Sequence, residues 1–222
     1  GVFGQLNGKL GPVRLFGGAR EHVTGTGRNF FSPSAGLSGG RGPLRLRGSV
    51  YRSFRNPTLN ELYREFRAGN TSTLANDQLK PETLFGAEAG ADWYGEKRRF
   101  SFTAFRNELN DVITNVTLTT TPTLITRQRR NAAAALTRGL EASARQTWSD
   151  FTLDLSYLFA ESRFSTRERI PQIPKHQGNA QLTYARPDTL VSFAVRSFSL
   201  QFEDDRNSLL LPGFASAQAQ VR

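Results

Sequence analysis

The stretch LFGAEAGADW, residues 84–93, decides the fold. Phe85, Ala87, Ala89, Ala91 and Trp93 occupy one set of alternate positions, and Gly86, Glu88, Gly90 and Asp92 the other. Successive side chains of an extended chain point to opposite faces. The stretch is therefore a strand with one apolar and one polar face.

The same alternation runs outward in both directions. In PLRLRGSVYRS, residues 43–53, Leu44, Leu46 and Val50 oppose Arg45, Arg47 and Ser49. RFSFTAFRN, residues 99–107, sets Phe100, Phe102 and Ala104 against Arg99, Ser101 and Thr103. FTLDLSYLF, residues 151–159, sets Phe151, Leu153, Leu155, Tyr157 and Phe159 against Thr152, Asp154 and Ser156. Residues 140–144, 180–184 and 191–195 repeat the period, and 13–19, 33–39 and 214–221 repeat it more weakly. The total is about ten to eleven strands, several longer than the five or six residues usual in soluble sheets.

The connections alternate in length. Short turns fall at residues 40–43, 95–97, 148–150 and 186–188, and long ones near 24–32, 54–80, 117–127, 163–175 and 203–212. Tight turns at one end and long loops at the other is the layout of an outer-membrane barrel. Trp93, Tyr94, Trp148 and Tyr184 stand beside short turns, as an interfacial aromatic girdle would.

Composition bounds the alternatives. The chain has no cysteine, so a disulfide framework and a thiolate metal site are both excluded. It has no methionine, even at position 1, and reads as an internal piece of a longer protein. No run approaches 18 apolar residues, which excludes a transmembrane helix but not strands of about 9–11 residues. The opening GVFGQLNGKL lacks the regions of a signal peptide.

The net charge is +10, carried mainly by arginine, since Lys9, Lys80, Lys97 and Lys175 are the only lysines. Arg45, Arg47, Arg99, Arg145 and Arg196 fall on polar strand faces, as expected for the wall of a polar lumen. They are dispersed rather than gathered with stacking aromatics, which argues against a nucleic-acid partner. Two histidines, no cysteine and no nucleophile elbow or phosphate loop leave nothing that reads as catalytic, and no cofactor is implied.

The long stretch YRSFRNPTLNELYREFRAGNTSTLANDQLKPETLFGAEAGADW, residues 51–93, closely resembles a segment of TonB-dependent outer-membrane receptors. That segment reads Arg-x-Pro-x-x-x-Glu-Leu, then Gly-Asn, then Asn-x-x-Leu-Lys-Pro-Glu at the start of a strand. Here these are Arg55, Pro57, Glu61, Leu62, Gly69, Asn70, Asn76, Leu79, Lys80, Pro81 and Glu82. FTAFRNELNDVITNV, TRGLEASARQTW, IPQIPKHQGNAQLTY and QFEDDRN followed by LPGF resemble the landmarks that come next, so the likeness covers about residues 11–222.

The resemblance implies part of a barrel of about 22 strands whose lumen is closed by a plug domain. Residues 1–222 would supply about half of that barrel, without the plug or the final strands. The implied partners are outer-membrane lipid, the TonB complex acting through the missing plug, and a small-molecule ligand such as a metal chelate. The implied function is capture of a scarce ligand, a siderophore, cobalamin or similar, and its energised import. A plugless porin-like or efflux channel is the alternative. A soluble β-sheet adhesin is a third reading, one that would leave Phe85, Phe100, Phe102, Phe151 and Phe193 facing water. Haem receptors of the family carry a ligating histidine between their two boxes. None lies between Phe54-Arg55-Asn56-Pro57 and Asn76-Asp77-Gln78-Leu79, so the likeness does not extend to haem uptake.

Two classes of residue stand out within the loops. Arg55, Pro57, Glu61, Leu62, Asn70, Pro81 and Glu82 are expected to order the long loop itself, with a helical turn near Leu59, Leu62, Tyr63 and Phe66 capped by Thr58 or Asn60. Tyr63, Arg64, Arg67, Arg127, Arg129 and Arg130 are the candidates for contacting an anionic ligand, because guanidinium forks pair with its oxygens. Glu203, Asp204, Asp205 and Asn207 lack the spacing of a calcium loop and read as a solvated acidic loop.

Overall fold

The computed structural model of the protein describes residues 1–23, 29–131 and 134–222. Its elements in chain order are β1 (Val2–Leu10), β2 (Val13–Val23), β3 (Asn29–Arg41), β4 (Leu44–Arg55), α1 (Leu59–Tyr63), β5 (Phe66–Ala68), β6 (Thr71–Leu74), β7 (Glu82–Tyr94) and β8 (Arg98–Asn110). They continue with β9 (Ile113–Thr120), β10 (Ile125–Asn131), β11 (Ala135–Trp148), β12 (Phe151–Phe164), β13 (His176–Arg186), β14 (Thr189–Phe198), β15 (Gln201–Phe202), β16 (Leu210–Leu211) and β17 (Phe214–Val221).

Eleven strands form one sheet in the order β1-β2-β3-β4-β7-β8-β11-β12-β13-β14-β17. Every neighbouring pair is antiparallel and the order follows the chain without a crossover. These strands run from 8 to 14 residues, and most meet the ~9–11 needed to cross a bilayer at a tilt. Among the described residues no helix is long and apolar enough to cross a membrane. All five short turns lie at one end of the sheet and the long connections at the other, as the meander requires.

Register sorts the side chains into two faces. Leu44, Trp93, Phe100, Ala144, Leu155, Ala180, Val195 and Ala217 stand opposite one another across successive strands and share the outward face. Arg45, Arg47, Asp92, Ser101, Ser143 and Ser156 occupy the inward one. Because the sheet is a single layer, little is buried within it. Among the described residues few apolar side chains are buried, Leu79, Ala135, Ala160, Phe164 and Ala194 being examples, and no large side chain is fully enclosed. Phe102 is 46% exposed and Phe193 52%, so the outward face is not covered by the protein's own core.

The inward face is held by polar contacts instead. Arg47 reaches Asp92 at 3.1 Å and Thr103 at 2.5 Å, Ser101 bonds the other oxygen of Asp92, and Ser49 donates to Glu88 at 2.9 Å. These join three adjacent strands, β4, β7 and β8, and give each of the named polar groups a partner.

Four details depart from the sequence reading. The opening residues, passed over as a strand, form β1 and pair with β2 through a turn at Gly11 and Pro12. The connection expected near 24–32 is shorter, since β3 begins at Asn29; its residues 24–28 lie outside the described residues. The loop expected near 117–127 is instead a hairpin, β9 with β10, so Arg127, Arg129 and Arg130 sit on a strand. Tyr94 faces inward, where its ring receives Arg99 at 4.8 Å, so the girdle at the short-turn end is Trp93, Trp148, Phe151 and Tyr184 without it.

Candidate functional site: a cleft among the long loops

The segment between β4 and β7 is ordered from both ends. Pro57 ends the extended run, and Thr58 caps α1: its hydroxyl accepts from the Glu61 amide while the Glu61 carboxylate accepts from the Thr58 amide at 2.7 Å. This reciprocal box satisfies two donors that a helix start leaves open. Phe66, expected on the same helical face, lies beyond the helix in β5. Gly69 turns β5 into β6 at a φ of 56°, in the left-handed region that glycine enters freely.

Arg55, the last residue of β4, gathers the loop. Its guanidinium bonds Glu61 at 3.0 Å and Glu82 at 2.6 Å, joining the strand that enters the loop to the one that leaves it. Glu82 accepts from the Ile113 amide with its other oxygen, at 2.6 Å, which ties in the β9–β10 hairpin. Burial by itself would raise the Glu61 carboxyl, but hydrogen bonds from Arg55 and Thr58 outweigh it and hold the group below its ordinary value.

The neighbouring loops lock onto this body. β10 pairs in parallel with β6, and Asn76 donates to the Arg129 carbonyl at 2.8 Å. Asn131 bridges Lys80 and Asp111. The β14–β17 connection reaches the hairpin through Asp205, which accepts from the Thr117 hydroxyl at 2.8 Å. Asn207 in turn holds the backbone of Arg169, in the β12–β13 connection.

A polar cleft of about 320 Å³ opens where these four connections meet. Glu61, Asn115, Arg127, Arg129, Gln172 and Asp205 are among its lining residues. Arg127 is 9% exposed, and its Nε is buried with no hydrogen-bond partner among the described residues. A dry, unmatched guanidinium donor costs free energy that a bound acceptor would recover.

The six candidate contact residues therefore divide. Arg127 and Arg129 line the cleft. Arg129 is already engaged, donating to the carbonyls of Asn60 and Arg64 at 2.8 and 2.7 Å and closing the end of α1. Tyr63, 68% exposed, and the exposed Arg64, Arg67 and Arg130 are not part of the cleft wall, and Arg130 turns back to Gln128 at 2.8 Å. Of the remaining motif residues, Leu62 is part of α1, Asn70 accepts from the Ile125 amide through its carbonyl, and Pro81 immediately precedes β7.

The acidic loop, expected to be solvated, is instead a bracket built on a buried Asp204. Asp204 is buried and accepts from the amides of Ser208 and Leu209 and from the Ser208 hydroxyl, at 2.7–2.9 Å. Burial works against its charge, but these donors prevail and its carboxyl lies below the ordinary range. Among the described residues no three carboxylates or histidines are grouped to hold a metal ion. Gln172 carries no distinguishing signal in the sequence, and Asp205 stands out there only as one of an acidic cluster, because only the folded loops bring both to the cleft that Arg127 lines.

The family model described as TonB dependent receptor-like, beta-barrel matches residues 1–222. The chain belongs to the TonB-dependent receptor β-barrel family. It is an outer-membrane β-barrel chain, and in such barrels the long loops face the cell exterior. An iron-regulated outer membrane virulence protein of Vibrio cholerae serotype O1 is 30% identical over 201 residues, covering 81% of this chain and 30% of that protein. Among solved structures, the siderophore receptor PirA of Acinetobacter baumannii is 18% identical at a TM-score of 0.77, covering 99% of this chain and 38% of PirA. The copper transporter OprC, 20% identical, gives the same score over 98% of this chain and 39% of its own. A ferric enterobactin receptor of Pseudomonas aeruginosa, solved with enterobactin, is 18% identical, also at 0.77, over 98% of this chain and 36% of its own. At these identities the solved structures show the shared fold. The chain spans about 30% of the length of the curated relatives it matches.

Proposed function

We propose that the chain is the ligand-capturing part of a receptor barrel that imports an iron chelate. In this reading residues 1–222 are one portion of a larger barrel, a plug elsewhere in the full protein closes the lumen, and the TonB complex supplies the energy. The observation that carries it is Arg127, a buried guanidinium lining a polar cleft that opens among the extracellular loops. A chelate with anionic oxygens would give Arg127 the acceptor it lacks, and water exclusion would strengthen the pairing. Arg55, Glu61, Glu82 and Arg129 hold the cleft walls. Tyr63, Arg64, Arg67 and Arg130 remain at the rim, where they would steer an anion inward.

Iron is the proposed cargo because the curated relatives are named iron-regulated and two of the neighbours are named siderophore or ferric enterobactin receptors. The test is uptake of radioactive iron by iron-starved cells that carry the full-length receptor as their only route. Ferric enterobactin, a ferric hydroxamate and ferric citrate are supplied in turn. TonB-dependent accumulation from at least one of them is expected. Accumulation of none, or accumulation that survives loss of TonB, would overturn the proposal, and the second result would favour a passive channel.

A further inference from the structure

We propose that the ligand of the loop cleft carries a cationic amine beside its anionic oxygens, and that Glu203 and Asp205 receive that amine. The inference rests on the reading of the cleft as a chelate site, and it narrows the ligand to amine-bearing chelates. The cleft wall holds four carboxylates, Glu61, Glu203, Asp204 and Asp205, against two guanidinium groups, Arg127 and Arg129. Two of these carboxylates are answered within the protein. Glu61 pairs with Arg55 at 3.0 Å, and both oxygens of Asp204 accept from Ser208 and Leu209.

Glu203 and Asp205 meet only neutral donors. Among the described residues Glu203 accepts from the Gln172 amide at 3.0 Å, and Asp205 from the Thr117 hydroxyl at 2.8 Å. The arginines closest to them in the loops are engaged elsewhere: Arg206 donates to the Thr117 carbonyl at 2.9 Å, and Arg169 to the carbonyls of Ile173 and Leu200. Both carboxylates are half-buried. A carboxylate drawn partly out of water attracts a cation more strongly than one in open solvent.

Opposite charges thus stand unanswered in one cavity. Arg127 is 9% exposed and its Nε lacks an acceptor among the described residues, while Glu203 and Asp205 lack a positive donor. A polyanionic chelate would satisfy Arg127 and be repelled by the two carboxylates. A metal ion would answer only the carboxylates, and among the described residues no three ligating side chains are grouped for one. The cleft, at about 320 Å³, lies at the lower end of the range for small-molecule pockets, so it suits an arm of a chelate rather than its iron core. An aminoalkyl arm joined to the core through an amide or hydroxamate supplies both needs: an oxygen for Arg127 and an ammonium, with its three donors, for Glu203 and Asp205.

The test titrates the full-length receptor in neutral detergent with ferric desferrioxamine B, a hydroxamate chelate with a pendant primary ammonium. The comparison is its N-acetylated form, which keeps the iron core and loses the charge. Wild-type receptor should bind the amine form about tenfold more tightly. The E203Q/D205N variant should lose that preference, because the amine form falls to the affinity of the acetylated one. Equal affinity of the wild type for the two forms overturns the proposal, whether or not the variant assembles. So does a variant that still prefers the amine form, since the amine would then be held elsewhere. Binding of ferric enterobactin or ferric citrate but of neither hydroxamate overturns this inference alone, whereas binding of no ferric chelate removes the chelate reading with it.

Discussion

The ring of Tyr51 lies across Gly86 on the neighbouring strand, occupying the space that a Cβ at residue 86 would need; even the Tyr51 hydroxyl oxygen is only 2.7 Å from that position. Phe16 covers Gly36 and Phe105 covers Gly139 in the same way. Each pair lies on the inward face, where an aromatic from one strand fills the gap left by a glycine on the next. This contact shields the ladder and helps pin the register.

Glycine substitutions along the sheet should therefore rank by what the new Cβ meets. Gly139→Ala would strike both the Phe105 ring and the Phe159 carbonyl, and should cost about 1–3 kcal/mol. Gly86→Ala should cost less, because the Tyr51 side chain can swing away. Gly48→Ala, whose nearest neighbour is 3.5 Å distant, should stay within about 0.5 kcal/mol. Urea midpoints of the folded full-length receptor in detergent give the order, and a Gly48 variant as damaged as Gly139 would refute it.

Arg127 and Arg129 should respond in opposite ways. Arg129→Ala removes two donors to the end of α1 and should loosen the 56–81 loop. Arg127→Gln removes a buried charge whose Nε has no partner among the described residues, so the loop should be as stable as before or more so. Hydrogen exchange across residues 56–81 separates the two: faster exchange in both variants would mean that Arg127 is structural.

Arg55→Ala should release the loop from both ends while sparing the sheet. Its pairs with Glu61 and Glu82 are partly exposed, so each is worth about 1 kcal/mol. External protease should cut the variant within residues 56–81 and leave the strands intact. Cleavage no faster than in the wild type would show that Arg55 is dispensable for loop order.

Acid should have a related effect. The Glu61 carboxyl lies below its ordinary value of 4.5 in the folded loop, so its contribution is fully present above that value. It is lost as pH falls through the depressed folded value, when the proton displaces Arg55 and the Thr58 amide. Loop protection should thus decline below about pH 4.5. Glu61→Gln should already exchange faster at neutral pH and show less further loss; an unchanged acid response in that variant would assign the effect to another group.

Much of the barrel was legible because its period is strict. The alternation at 84–93 and 99–107 set faces that the register of β7 and β8 reproduces, and Gly95 with Lys97 marked the turn between them. β1 escaped because Gly4 and Gly8 fall on its apolar positions and erase the contrast. The β9–β10 hairpin escaped because ITNVTLTT and ITRQRRN carry β-branched residues on both faces and show no amphipathic period. The cleft was the least readable feature. Arg127 could be named as a cation in a loop, but its burial depends on β6, the 165–175 connection and Asp205, distant segments joined only by the fold.

The most direct test of the account is equilibrium binding of ferric enterobactin, ferric hydroxamate and ferric citrate to purified full-length receptor, wild type against Arg127→Gln. The account predicts that the chelate supporting uptake binds the wild type and is weakened about tenfold to a hundredfold in the variant, with loop exchange unchanged. Equal affinity of the two proteins for that chelate would contradict it, because the cleft around Arg127 would then not be where the ligand is held.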